Sequence, residues 1–129
     1  MRILFVEDDA LNRRVVKDML QIVGAEMSEA EDAETGLRTI DEQPAFAVVL
    51  MDLRMPGMDG LTAIRHIRAR GDDKGTVPII VVTADTAADL RDRCVADGAD
   101  EVIFKPVAMN QLFSVMGKLM VEAQRRAAI

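Results

Sequence analysis

Glu7, Asp8, Asp9 and Asp52 are carboxylates, Thr83 is a hydroxyl and Lys105 an ammonium, and each stands at the end of a short apolar run. "ILFV" (3–6) runs into Glu7, Asp8 and Asp9; "FAVVLM" (46–51) runs into Asp52; "PIIVVT" (78–83) closes on Thr83; "EVIF" (101–104) runs into Lys105 and Pro106. Carboxylates brought together repel and raise one another's pKa values. A divalent cation removes that conflict. Carboxylate oxygens with no His or Cys beside them favour a hard ion, Mg²⁺ or Mn²⁺, and Mg²⁺ keeps several waters and accepts phosphate oxygens. An ammonium and a hydroxyl at the same rim would complete a pocket for a phosphoryl group.

That chemistry requires elements that bring the four run ends together. The runs are short and rich in β-branched residues, and most do not alternate with polar residues, which is the pattern of strands buried on both faces of a parallel sheet. "EMSEA" (26–30) is a weaker strand, suited to an edge. Helical spacing lies between them. Residues 10–23 place Leu11, Val15, Met19 and Ile22 on one face and stop at Gly24; residues 33–42 carry Ala33, Leu37 and Ile40. Asp59 caps a helix with Leu61, Ile64 and Ile67; residues 86–97 hold Ala87, Leu90, Cys94 and Val95; residues 108–124 hold Leu112, Val115, Met116, Leu119 and Met120. Five β–α units in succession predict an α/β fold, an open parallel sheet with helices on both faces. In such sheets ligands bind beyond the carboxyl ends of the strands, where the polar residues stand. Asp9 reads as the cap of the first helix, and 71–78 as the likeliest flexible loop.

Composition narrows the function classes. The chain has 129 residues, which suits a single domain over 1–129. A net charge of −6, no Trp or Tyr and four Phe argue against a nucleic-acid surface. No apolar run approaches the ~20 residues of a membrane span, and the N-terminal run is too short for a signal peptide. A lone Cys94 forms no internal disulfide and fits a reducing, cytoplasmic setting. Cys94 and the nine methionines read as core, and His66 among Arg65, Arg68 and Arg70 reads as a solvated face.

"ILFVEDD", "VLMDLRMPGMDG", "PIIVVTAD" and "FKP", in this order and spacing, resemble the receiver domains of two-component response regulators over nearly the whole chain. The resemblance implies a flavodoxin-like, doubly wound five-stranded parallel sheet in strand order 2-1-3-4-5, with five helices on both faces. It implies Asp52 as phosphoacceptor, Asp8 as direct metal ligand, Glu7 acting through water, and the backbone carbonyl of Arg54 as a further ligand. Thr83 would be the switch hydroxyl, Ala84 the small residue leaving room for the phosphoryl group, and Lys105 the cation on the acyl phosphate. The Lys105–Pro106 bond would be cis. The donor would be a histidine kinase or histidine phosphotransfer protein. The output would be a downstream protein on the face around Arg91, Val102 and Asn110, with the chain a monomer or weak dimer. Such a chain catalyses its own phosphorylation and slow dephosphorylation and is not a turnover enzyme. A stand-alone regulator and the receiver of a hybrid histidine kinase would look alike.

The chain departs from that pattern at Val102, where the family usually has Tyr or Phe; Phe104, on the same strand face, reads as core. Arg54 and Asp85, two residues beyond Asp52 and Thr83, would face each other across the pocket in a salt bridge that hinders the hydrolytic water. A metal-dependent phosphohydrolase with an Asp nucleophile would carry an acid where Arg54 stands. A pseudo-receiver, binding a partner without phosphorylation, is the remaining alternative.

Overall fold

The computed structural model describes residues 1–127; residues 128 and 129 of the expected 1–129 domain lie outside the described residues. Five strands, β1 (Arg2–Val6), β2 (Glu26–Ala30), β3 (Val48–Asp52), β4 (Ile79–Thr83) and β5 (Glu101–Phe104), form one parallel sheet in the order β2-β1-β3-β4-β5. Between and after them lie α1 (Ala10–Ile22), α2 (Ala33–Glu42), α3 (Gly60–Arg68), α4 (Leu90–Asp97) and α5 (Met109–Ala127). The weak strand 26–30 forms and lies at the edge, as its half-polar composition predicts.

Side-chain alternation divides the core into two layers. Leu4, Val6, Val49, Met51, Val81 and Val102 pack against Ile40 of α2, Ala63, Ile64 and Ile67 of α3, and Leu90 and Cys94 of α4. Ile3, Phe5, Leu50, Ile80, Val82 and Ile103 pack against Val16 and Leu20 of α1 and Leu112, Met116 and Leu119 of α5. Each Val, Leu, Ile, Phe or Met among them, fully buried, contributes about 1.5–3 kcal/mol. β3 and β4 are buried along their whole length, so Asp52 and Thr83 are carried into the interior by the strands they end.

Several expectations need correction. On α1 the buried residues are Val16 and Leu20, while Leu11 and Ile22 are 70% and 68% exposed. Apolar residues circle much of this helix, so spacing alone allows either face. The choice is made by Asn12 and Arg13, which hydrogen-bond to the side chain and the carbonyl of Glu7 and turn the 12–16–20 face to the sheet. α4 starts at Leu90 instead of residue 86, and Ala87 is exposed. The Thr83 hydroxyl accepts the Asp85 N–H and the Asp85 carboxylate accepts the Ala87 N–H, local bonds that compete with a helical turn.

The 71–78 segment is pinned. It holds a 3₁₀ turn, Asp73–Thr76, and Lys74 Nζ donates to the carbonyls of Ile40, Asp41 and Gln43 at the C-terminal end of α2. Of the supposed solvated arginine face, His66 is exposed, but Arg68 reaches inward to the carbonyls of Gly75, Val77 and Gly98 and to Asp100. Phe104 is 37% exposed, at the last position of β5.

Candidate functional site

The strand order makes β1 and β3 neighbours, with Val6 beside Met51, so the next residues, Glu7 and Asp52, leave the sheet together. β4 lies on the other side of β3, and Thr83 is paired with Phe104, which delivers Lys105 to the same rim; the Lys105 N–H donates to the Thr83 carbonyl at 2.8 Å. A cleft of about 210 Å³ results, lined by Glu7, Asp8, Asp9, Asn12, Asp52, Arg54, Thr83, Ala84 and Lys105. Every expected site residue therefore stands in one place. A larger cavity of about 610 Å³ lies at the opposite end of the sheet, among Ile40, Phe46, Val77 and Ala123, away from these groups.

The walls follow from local sequence. Asp9 caps α1 by accepting the Leu11 and Asn12 N–H groups, as expected, so its carboxylate is occupied by the helix. Asp59 caps α3 through the Thr62 N–H. Gly60, the first residue of α3, must be glycine because a Cβ there would stand 2.2 Å from the Asp52 carbonyl oxygen. The loop from Asp52 to α3 can thus fold tightly under the acceptor. The Lys105–Pro106 bond is cis.

Glu7 is fully buried and Asp52 is 4% exposed. Lys105 Nζ lies 2.8 Å from Glu7 Oε1 and 3.6 Å from Asp52 Oδ1. Burial pushes the Asp52 carboxyl up to about 7, reinforced by the close, negatively charged Glu7 carboxylate and opposed by Lys105 and the Arg54 amide. Burial works against the Lys105 ammonium, but its bond to Glu7 and the charges of Asp52 and Glu7 outweigh that and hold its pKa above the ordinary lysine value.

One carboxylate oxygen each from Glu7, Asp8 and Asp52 lie within 4.8 Å of one another, and Glu7 Oε2 is buried with no hydrogen-bond partner among the described residues. Carboxylates gathered this closely, one with a buried oxygen left orphaned, favour a proton or a cation among them. The all-oxygen donor set fits Mg²⁺.

The Arg54–Asp85 bridge is present: Arg54 Nη2 lies 3.0 Å from Asp85 Oδ2. Ala84 is exposed at the cleft. On the face expected for a downstream partner, Arg91 and Asn110 are exposed but Val102 is 2% exposed, because its side chain belongs to the core; Phe104, two residues on in the same strand, is 37% exposed. Arg91 binds Glu101 at 2.8 Å, and Lys118 reaches the other Glu101 oxygen at 3.4 Å. Asn12 was not singled out from sequence, though it donates to Glu7 Oε1 at 2.7 Å. Its position three residues past the Asp9 cap, one turn above the end of β1, was the available signal.

Comparison with known proteins agrees with this geometry. The family model described as response regulator receiver domain matches residues 3–116. The sensor histidine kinase RcsC of Salmonella typhi is 36% identical over 112 residues, 87% of this chain. The chain spans 11% of that protein's length. The two-component response regulator ORR41 of Oryza sativa subsp. japonica is 35% identical over 121 residues, 92% of this chain and 93% of that protein. Among solved structures, the receiver domain of sensor histidine kinase PA1611 from Pseudomonas aeruginosa PAO1 was described with a magnesium ion coordinated in its active site cleft. It superposes with a TM-score of 0.83 at 31% identity, covering 92% of this chain and 96% of that one. A CheY-like receiver domain protein from Methanospirillum hungatei JF-1 has a TM-score of 0.87 at 26% identity, with 97% of each chain covered. The sheet order, the acidic cleft at the strand ends and these matches agree: the chain belongs to the response regulator receiver domain family of two-component systems.

Proposed function

We propose that this receiver accepts a phosphoryl group on Asp52 from a phosphohistidine on a histidine kinase or histidine phosphotransfer protein, and that the acyl phosphate is its signal. An Asp52 carboxylate oxygen forms a bond to phosphorus, the nitrogen–phosphorus bond of the donor breaks, and the electron pair returns to the imidazole. Lys105 Nζ shifts from Glu7 toward an oxygen of the transferred group. Thr83 Oγ1 already accepts the Asp85 N–H, so its own proton is free to be donated to another phosphoryl oxygen. Asp8, Asp52, the Arg54 carbonyl and, through water, Glu7 would hold Mg²⁺ or Mn²⁺, which supplies positive charge against the phosphoryl oxygens. The chain is a switch and not a turnover enzyme: phosphorylation shifts the population between two surfaces, with Arg91, Asn110 and Phe104 on the responding face.

The single observation that carries this reading is the buried pair Glu7 and Asp52, with one oxygen orphaned and Lys105 beside both. Acetyl phosphate with Mg²⁺ tests it by intact mass. Wild type is expected to gain one phosphoryl group, and Asp52→Asn and an EDTA control none. If neither acetyl phosphate nor a phosphorylated donor protein yields an adduct, the pseudo-receiver reading replaces this one.

The Arg54–Asp85 bridge governs lifetime in this account. Arg54 is 78% exposed and its pair is worth about 0–1 kcal/mol in stability, so the effect is kinetic. Arg54→Ala is expected to shorten the phosphoryl half-life severalfold with the melting temperature unchanged. An unaltered decay rate would remove the bridge from the mechanism.

A further inference from the structure

Glu7 has no charge partner to spare. Among the described residues two donors bind the Glu7 carboxylate, Lys105 Nζ at 2.8 Å and Asn12 Nδ2 at 2.7 Å, both on the same oxygen, Oε1, and Oε2 is left buried and bare. An ionised carboxylate only accepts, so the Asn12 amide must turn its nitrogen toward Glu7. Two donors on one oxygen fix the rotation of the carboxylate and aim Oε2 away from them. Asn12 is itself held in place: its N–H binds the Asp9 cap, and its neighbour Arg13 donates through Nη1 to the Glu7 carbonyl at 2.7 Å and through Nε to Glu29 at 3.1 Å. The first turn of α1 therefore grips Glu7 at both its side chain and its backbone.

Lys105 cannot serve as the permanent anchor. Its ammonium also lies 3.6 Å from Asp52, and a phosphoryl group on Asp52 competes for it. Once Lys105 leaves, a fully buried Glu7 without Asn12 would keep neither donor. A buried carboxylate stripped of its partners is costly enough to hold the lysine back.

Resting on the receiver reading above, we propose that Asn12 is a positioning residue of this site: it holds Glu7 with Oε2 open toward the cation, and it keeps Oε1 bonded when Lys105 moves to the phosphoryl group. Its amide acts through Glu7. Its work is to decouple Glu7 from Lys105, so that one lysine need not serve two carboxylates at once.

The test measures Mg²⁺ binding by calorimetry, with no phosphodonor present, for wild type, Asn12→Leu, Asn12→Ala and Asn12→Gln. Melting temperatures in EDTA and acetyl phosphate saturation at excess Mg²⁺ are recorded alongside. Leu matches Asn in size and favours a helix more, so it removes the donor without loosening α1. Outer partners of metal ligands typically affect affinity by about 10–100-fold. Asn12→Leu is expected to weaken Mg²⁺ binding about tenfold while staying folded, with a melting temperature a few degrees or less below wild type. Its maximal phosphorylation rate should drop even at saturating Mg²⁺, and Gln, which retains the amide donor, should restore most of both. Should the leucine variant fail to fold, the same readings are taken on Asn12→Ala. Wild-type Mg²⁺ affinity and maximal rate in a variant without the amide would overturn the proposal, leaving Asn12 a packing residue. A wild-type protein that binds no Mg²⁺ would overturn it together with the receiver chemistry, which sets that failure apart from one confined to Asn12.

Discussion

In EDTA at pH 8, Asp52→Asn is expected to melt about 6 °C above the wild-type protein. The variant removes an acid whose burial beside Glu7 raises its pKa to about 7. Between the ordinary carboxylate value and that raised value, the folded chain binds more protons than the unfolded one. Stability from this group is therefore present at low pH and lost as pH rises through that window, staying flat above it. A shift of that size corresponds to about 4 kcal/mol at full weight. Relaxation of the cleft and water entry around the ionised carboxylate reduce this, so about 2 kcal/mol should remain. Thermal melts from pH 4 to pH 8 check the sign. The gap between variant and wild type should open as pH rises and be small at pH 4. Mg²⁺ should then raise the wild-type melting temperature more than that of the variant, because the cation relieves the same repulsion. A wild type more stable than Asp52→Asn at pH 8 without metal would contradict the electrostatic account of the cleft.

The largest loss of stability is expected at Arg68. Its side chain is 23% exposed, and its guanidinium donates to the carbonyls of Gly75, Val77 and Gly98 and to Asp100. Asp100 in turn accepts the Ile79 N–H at the start of β4. One side chain thus ties α3, the 3₁₀ segment, β4 and the turn before β5. Arg68→Met keeps the stem but leaves these acceptors without a donor, and is expected to cost about 3–5 kcal/mol. Arg68→Lys should recover only part of this, since a point charge cannot reproduce the fork. Arg65→Ala, which breaks the half-exposed pair with Asp97, should cost about 0–1 kcal/mol. Denaturant midpoints for the three variants check the order; an Arg68→Met midpoint equal to that of Arg65→Ala would contradict it.

Arg68 also shows where the sequence stops being legible. It sits among Arg65, His66 and Arg70, and nothing in that run separates it from its neighbours. Three of its four acceptors are backbone carbonyls, which every residue has, so no partner can be seen in the sequence. The α1 face fails for a related reason. Leu11, Val15 and Ile22 satisfy helical spacing as well as Val16 and Leu20 do, and a long-range tie through Asn12 and Arg13 selects between them. Phe104 was assigned to the right face of β5, but periodicity does not say where the covering helix ends. The early start expected for α4 overlooked the competing bonds of Thr83 and Asp85.

The sheet and its rim were legible because they rest on strong local signals. Residues 48–51 and 79–82 are short, continuous apolar runs rich in β-branched residues, which suit a strand covered on both faces. A carboxylate or hydroxyl at the end of such a run must emerge at the carboxyl rim, and β1, β3 and β4 being adjacent brings Glu7, Asp52 and Thr83 together. Even the Arg54–Asp85 bridge could be anticipated, since both residues stand two positions beyond neighbouring strand ends.

The central claim is that Asp52 carries the phosphoryl group, and the most direct test locates the group. The protein is treated with acetyl phosphate and Mg²⁺, reduced with borohydride, which converts an aspartyl phosphate to homoserine, and mapped by peptide mass spectrometry. The account predicts homoserine at position 52 in wild type and at no position in Asp52→Asn or in EDTA. A phosphoryl group on His66 or on Asp8, or one acquired equally without metal, would contradict it.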